Sequence, residues 1–164
     1  MSAQSPQNAA QSERAKMPSA RYAVIDLAVA ETLRAALTDK RRDGIEPLFS
    51  RNFARKLLEV GPWLVRLSQA PDIETMLAEI GDELPWGYYV QSPVDILTLR
   101  KSLRRYNQAQ IPNPPREVLF RYWDPRVMGV FLNITTDFQR ERLFDWIDAF
   151  EVAGVSHYPN APRA

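Results

Sequence analysis

"FRYWDPRV", Phe120 to Val127, crowds three aromatic residues, two arginines and an aspartate into eight positions. Arginines beside a carboxylate can hold a substrate phosphate or simply neutralise that carboxylate within the fold. The stretch divides at Asp124. Before it, "EVLFRYW" alternates as a strand does: Val118, Phe120 and Tyr122 share one face, and Leu119, Arg121 and Trp123 the other. Both faces are largely apolar, as in a central strand. After it, Asp124 suits a helix N-cap, its carboxylate near free amides, and Pro125 suits the first turn of the helix "DPRVMGVFLNIT". On this reading the aspartate and proline end a strand and start a helix, and Arg121 or Arg126 pairs locally with Asp124 or Glu117.

Outward from that junction, strands and helices keep alternating. "RYAVIDLA", Arg21 to Ala28, is a short Val/Ile/Tyr-rich run, and "ETLRAALTDKRRDG" follows with Leu33 and Leu37 at helical spacing. "IEPLFS" and "WLVRLS" read as strands on either side of a helical turn at Phe53, Leu57 and Leu58. In "PDIETMLAEIG", Ile73, Met76, Leu77 and Ile80 fall on one helical face and Gly81 stands at the stop. "PWGYYVQS" reads as a strand, and Ser92 and Pro93 occupy cap and first-turn positions for a helix over "VDILTLRKSLRRYNQAQ". A last helical pattern runs from Thr136 to Phe150. The sequence therefore predicts a single α/β domain, a mixed sheet of about five strands packed by amphipathic helices, with α+β as the alternative. Residues 1–20 and 151–164 read as loose tails around a domain at 21–150.

Composition narrows the chemistry. The 21 Lys and Arg against 20 Asp and Glu leave no global field to attract nucleic acid. No apolar run approaches the roughly 20 residues a membrane helix needs, and the Ser/Gln/Ala-rich start lacks the apolar stretch of a secretory signal. A cytoplasmic protein is expected. With no cysteine and one histidine, His157 in a proline-containing tail, thiolate nucleophiles, Cys-held metals and the Ser-His triad all fall away. Six scattered glycines form neither a dinucleotide fingerprint nor a phosphate loop. Asp82 and Glu83 are neighbours after a helix end, poor geometry for shared acid–base work. No cofactor and no metal is expected, and no catalytic residue is assigned.

What remains is binding. Arg100, Lys101, Arg104 and Arg105 form a basic flank on a helix whose other side is apolar. Such a stripe meets a partner or is neutralised within the fold, and the acidic helix with Asp72, Glu74 and Glu79 could neutralise Arg100 or Arg104. The end of the "FRYW" strand could present aromatics and an arginine to a partner, since these side chains are enriched at interfaces. Arg100, Arg104, Arg121, Tyr122, Trp123 and Arg126 are the candidate partner-binding residues.

The succession "YAVIDLA", "GPWLVRL", "PWGYYVQS", "LTLRKSLRRY" and "EVLFRYWDPRVM" resembles the small domain of unknown function found in type VI secretion effector chaperones, the Tap or Tec adaptors, over about Arg21 to Phe150. "FRYWDPRV" is similar to that family's Phe-Arg-Phe/Tyr-Tyr-Asp-Pro-Arg signature, with Trp123 in the second aromatic place, and "GPWLVRL" to its Pro-Tyr/Trp-Leu-Val segment. "NPPRE" and "LFDWID" depart from the family's Asp-Gly and Phe-Gly-Pro. The resemblance implies a non-enzymatic adaptor in the bacterial cytoplasm. It would bind a cognate effector by a hydrophobic or N-terminal segment and help load it onto the VgrG spike. The alternatives are an immunity-type toxin-binding protein and, less favoured, a small enzyme.

Overall fold

A computed structural model describes residues 18–39 and 41–160. The expected N-terminal tail lies, up to residue 17, outside the described residues, as do the last four residues of the C-terminal one. The architecture grows from β1 (Ala20–Asp26), in which Tyr22 to Asp26 are all buried. Its side chains alternate between two separate cores: Tyr22 and Val24 enter one, Ala23 and Ile25 the other. A strand apolar on both faces needs cover on both faces. The flanking strands extend it into a six-stranded sheet of order β2-β3-β1-β4-β7-β8. These strands are β2 (Ile45–Pro47), β3 (Pro62–Arg66), β4 (Gly87–Ser92), β7 (Ala149–Val152) and β8 (Val155–His157).

On one face lie α1 (Arg34–Thr38) and α3 (Pro71–Ile80), which supply Leu37, Ile73 and Leu77 to the core with Ala23 and Ile25. The other face is covered by α4 (Ile96–Arg104), α5 (Pro125–Ile134) and α6 (Asp137–Leu143), through Leu99, Leu103, Met128, Leu132 and Leu143. A short α2 (Arg55–Leu58) precedes β3, and β5 (Gln108–Pro112) pairs with β6 (Pro115–Leu119) in a separate two-stranded ribbon.

The α/β class and single domain agree with the sequence, with differences of detail. Every strand pair is antiparallel rather than mixed, because the connections are short or return over the same strand end. Ser92 is the buried last residue of β4, its hydroxyl donating to the Trp146 carbonyl. The cap of α4 is Asp95, which accepts from the amides of Leu97 and Thr98. The pattern expected as helix from Thr136 to Phe150 breaks after Leu143, because Ala149–Val152 completes the edge of β4. The C-terminal segment expected to be loose pairs as β8 with β7, placing His157 opposite Phe150. The buried Arg140 side chain then anchors the residues after β8, donating to the Tyr158 and Pro159 carbonyls as well as to that of Leu132.

β1 and β4 approach so closely at Gly87 that only glycine fits: its φ is +148°, and an added Cβ would lie 1.8 Å from the Val24 carbonyl oxygen. Gly87→Ala is expected to lose on the order of 3 kcal/mol of unfolding free energy, measured by urea denaturation. A variant as stable as wild type would mean that β4 does not approach β1 this closely.

Candidate functional site

Four segments distant in sequence frame one cleft of about 480 Å³: Arg21 on β1, residues 82–89, the first turn of α5, and Glu151 with the turn between β7 and β8. The loop 81–86 exists because α3 stops at Gly81, which takes a φ of +60°. Trp86 then folds back over the helix end, its indole N–H donating to the Gly81 carbonyl at 3.1 Å. Trp86 is buried, 6% exposed, and meets Tyr89 edge-on, ring centroids 5.2 Å apart. The Arg21 guanidinium stacks over Tyr89 at 3.8 Å. Leu84, in the same loop, stays 47% exposed.

The charges around the cleft divide into paired and free. Arg21 donates to Glu151 at 2.9 Å, and Gln91 donates to the other oxygen of Glu151 at 2.8 Å. Burial would raise the Glu151 carboxyl, but these bonds from Gln91 and Arg21 outweigh it and hold the group below its usual range. Across the cleft, Arg126 binds Asp124 with two prongs, Nε to Oδ1 at 3.0 Å and Nη2 to Oδ2 at 2.7 Å. Asp124 also caps α5 by accepting from the Arg126 amide at 3.0 Å. Chiefly through the Arg126 side chain, its carboxyl is held below the ordinary aspartate range. Arg121 turns to Asp26, 3.1 Å from its Oδ2, and stands 3.9 Å from Asp124. Among the described residues, no ion pair engages Asp82 or Glu83.

A family model described as a domain of unknown function, DUF4123, matches residues 21–142. The chain belongs to the DUF4123 family. This is the family of type VI secretion effector adaptors, in agreement with the resemblance carried by "FRYWDPRV". No curated protein and no solved structure matches the chain. Among the described residues, no helix is long and apolar enough to cross a membrane.

The DUF4123 signature does not occupy a central strand. β6 ends at Leu119, and Phe120 to Asp124 form an irregular passage into α5. Tyr122 and Trp123 therefore do not alternate between faces: both are buried in one core, 2% and 4% exposed, and Trp123 meets Phe49 edge-on. As core side chains they offer no surface to a partner in this conformation. Burial raises the Tyr122 phenol far above its ordinary range, against the pull of Arg104. Arg121 and Arg126 are exposed, and only Arg126, of the six residues singled out, lines the cleft.

The basic helix is likewise used from within. Arg100 donates to the Pro47 and Phe49 carbonyls at 2.6 and 3.3 Å and lies 3.7 Å from Glu46, fastening α4 to β2. The expected neutralisation by the acidic helix does not occur, since Asp72 is taken by Arg42 in two bonds of 2.7 Å. Arg104, half-buried, lies close enough to act on Tyr122, while Lys101 is exposed. Sequence reading missed Arg21, Leu84, Trp86 and Tyr89 as cleft residues; the aromatic crowding of "PWGYY" was the available signal.

Asp124→Ala is expected to cost about 1–2 kcal/mol through the lost cap, while Asp124→Asn keeps the cap and loses only the charged pair. Because the folded carboxyl is held low, the pair's contribution is present above the unfolded pKa of about 3.9 and is lost as pH falls through the folded value. The stability gap between wild type and Asp124→Asn should therefore close on acidification, measured by denaturation across pH; a constant gap would contradict the pairing. Arg100→Ala should cost about 1.5–3 kcal/mol, as expected for charged donors serving buried carbonyls. Urea denaturation showing wild-type stability would instead make Arg100 a surface residue.

Proposed function

We propose that this chain is a non-catalytic adaptor that binds a cognate type VI secretion effector in the bacterial cytoplasm and helps load it onto the VgrG spike. The observation that carries the reading is the family match across residues 21–142, which takes in four of the six strands of the sheet and most of the two cores. The state of the signature's charged residues supports it. Asp124 is engaged in a helix cap and with Arg126, and Arg121 with Asp26, so each of these groups has a role within the fold. An adaptor must cover partner surface reversibly, which calls for exposed apolar side chains with charged neighbours. The cleft offers the exposed Leu84 and the half-buried Tyr89 between charged residues.

Co-expression with the effectors and spike protein encoded beside this gene, followed by affinity capture, tests the proposal. The expected result is a stable complex with one effector, and a further complex once VgrG is added. Failure to capture any neighbouring effector or spike would reject it. Protection of the producing cell in the absence of secretion would instead favour a toxin-neutralising protein.

A further inference from the structure

The cleft's charge is unbalanced in one direction. Arg21 is matched by Glu151 and Arg126 by Asp124, so both cations on its walls are already answered. Asp82 and Glu83 stand exposed on the loop 81–86 with no ion pair among the described residues. The loop begins where α3 ends, and the carbonyl end of a helix adds negative potential within its last turn. Tyr89 reports the same field: its phenol is raised first by burial, lowered by Arg21, and raised again by Glu74, Glu151 and Asp82. Beside these carboxylates lie an exposed leucine, Leu84, and the aromatic pair Trp86 and Tyr89. Arg21 already covers the Tyr89 ring and Trp86 is 6% exposed, so the free carboxylates are what favour an added cation, and the leucine favours an apolar neighbour to it.

From this we infer that the cleft is the cargo-docking site of the adaptor and takes a polypeptide segment in which a Lys or Arg adjoins an apolar residue. The inference rests on the adaptor reading for the partner's being a polypeptide; the charge and the apolar surface choose which kind. A lysine or arginine enters the cleft with its charge toward Asp82 and Glu83, and the adjoining apolar side chain lies against Leu84. An acidic segment is rejected by the same two carboxylates.

The test uses the full chain and two short fluorescein-labelled peptides, one alternating Leu with Lys and the other Leu with Glu. Anisotropy should show the Leu/Lys peptide binding at least about tenfold more tightly, a preference that weakens as salt is raised. The Trp86 indole resonance, assigned with Trp86→Phe, should shift on binding. Asp82→Lys with Glu83→Lys alters only exposed side chains and should reverse the preference, while Leu84→Ser should weaken both peptides. Equal binding of the two peptides, or an unmoved Trp86 resonance, would overturn the inference. Capture of the neighbouring effector by the same variants separates the two levels. An effector bound equally well by wild type and by Asp82→Lys with Glu83→Lys overturns the docking site but leaves the adaptor role standing. Peptide discrimination at Trp86 without capture of any effector supports the site's chemistry and removes the adaptor role.

Discussion

Asp26 ends the central strand with its carboxylate inside the protein, 1% exposed, and a buried carboxylate has to be supplied with donors. The Ala28 amide supplies one at 3.0 Å and Arg121 the other at 3.1 Å. The same residue's backbone amide donates to the Trp86 carbonyl, and its own carbonyl accepts from Val29 and Ala30. One position thus joins the end of β1, the turn after it, the entry to β4 and the family signature. Since Arg121 must reach Asp26, the chain from Phe120 to Asp124 has to cross the end of the sheet. That crossing carries Tyr122 and Trp123 into the core, sets Asp124 at the start of α5, and brings Arg126 to the cleft. The site is a consequence of how a buried charge is satisfied.

Most of the layer structure was legible because its signals are local. "YAVID" is a short apolar run with no polar face, which only a covered strand accommodates, and residues 71–80 repeat at helical spacing up to a glycine stop. Where the reading failed, the missing information was long-range. Alternation in "EVLFRYW" says nothing about where a strand's partner ends, and β6 can extend only as far as its pairing with β5, which closes at Gln108 and Leu119. Likewise, Ile147 and Phe150 fit a helical spacing from Thr136, but the open edge of β4 draws residues 149–152 into the sheet. The Ser-Pro pair lost to Asp95 because Ser92 was already committed to β4.

The cleft was less legible than the fold. Sequence crowding drew notice to charges that the structure neutralises in place, Arg100 with backbone carbonyls and Glu46, and Arg126 with Asp124. The residues that give the cleft its sign, Asp82 and Glu83, looked ordinary because an exposed acidic loop is a common solvated surface. Only their position beside Trp86 and Tyr89, opposite cations that are already matched, gives them meaning. Recognition of this kind depends on what is left over after internal pairing, and that remainder cannot be counted before the pairs are known.

The family match stops at residue 142, yet β4 finds its outer neighbour in β7, at 149–152, and Phe150 is a fully buried core side chain. The segment defined by shared sequence is therefore smaller than the unit that completes the sheet. A chain cut at the family boundary would leave the amides and carbonyls of β4 unpaired along an apolar rim, a ready template for sheet-to-sheet aggregation. The last two strands lie outside the family match, yet they pair with an edge that β4 would otherwise leave open.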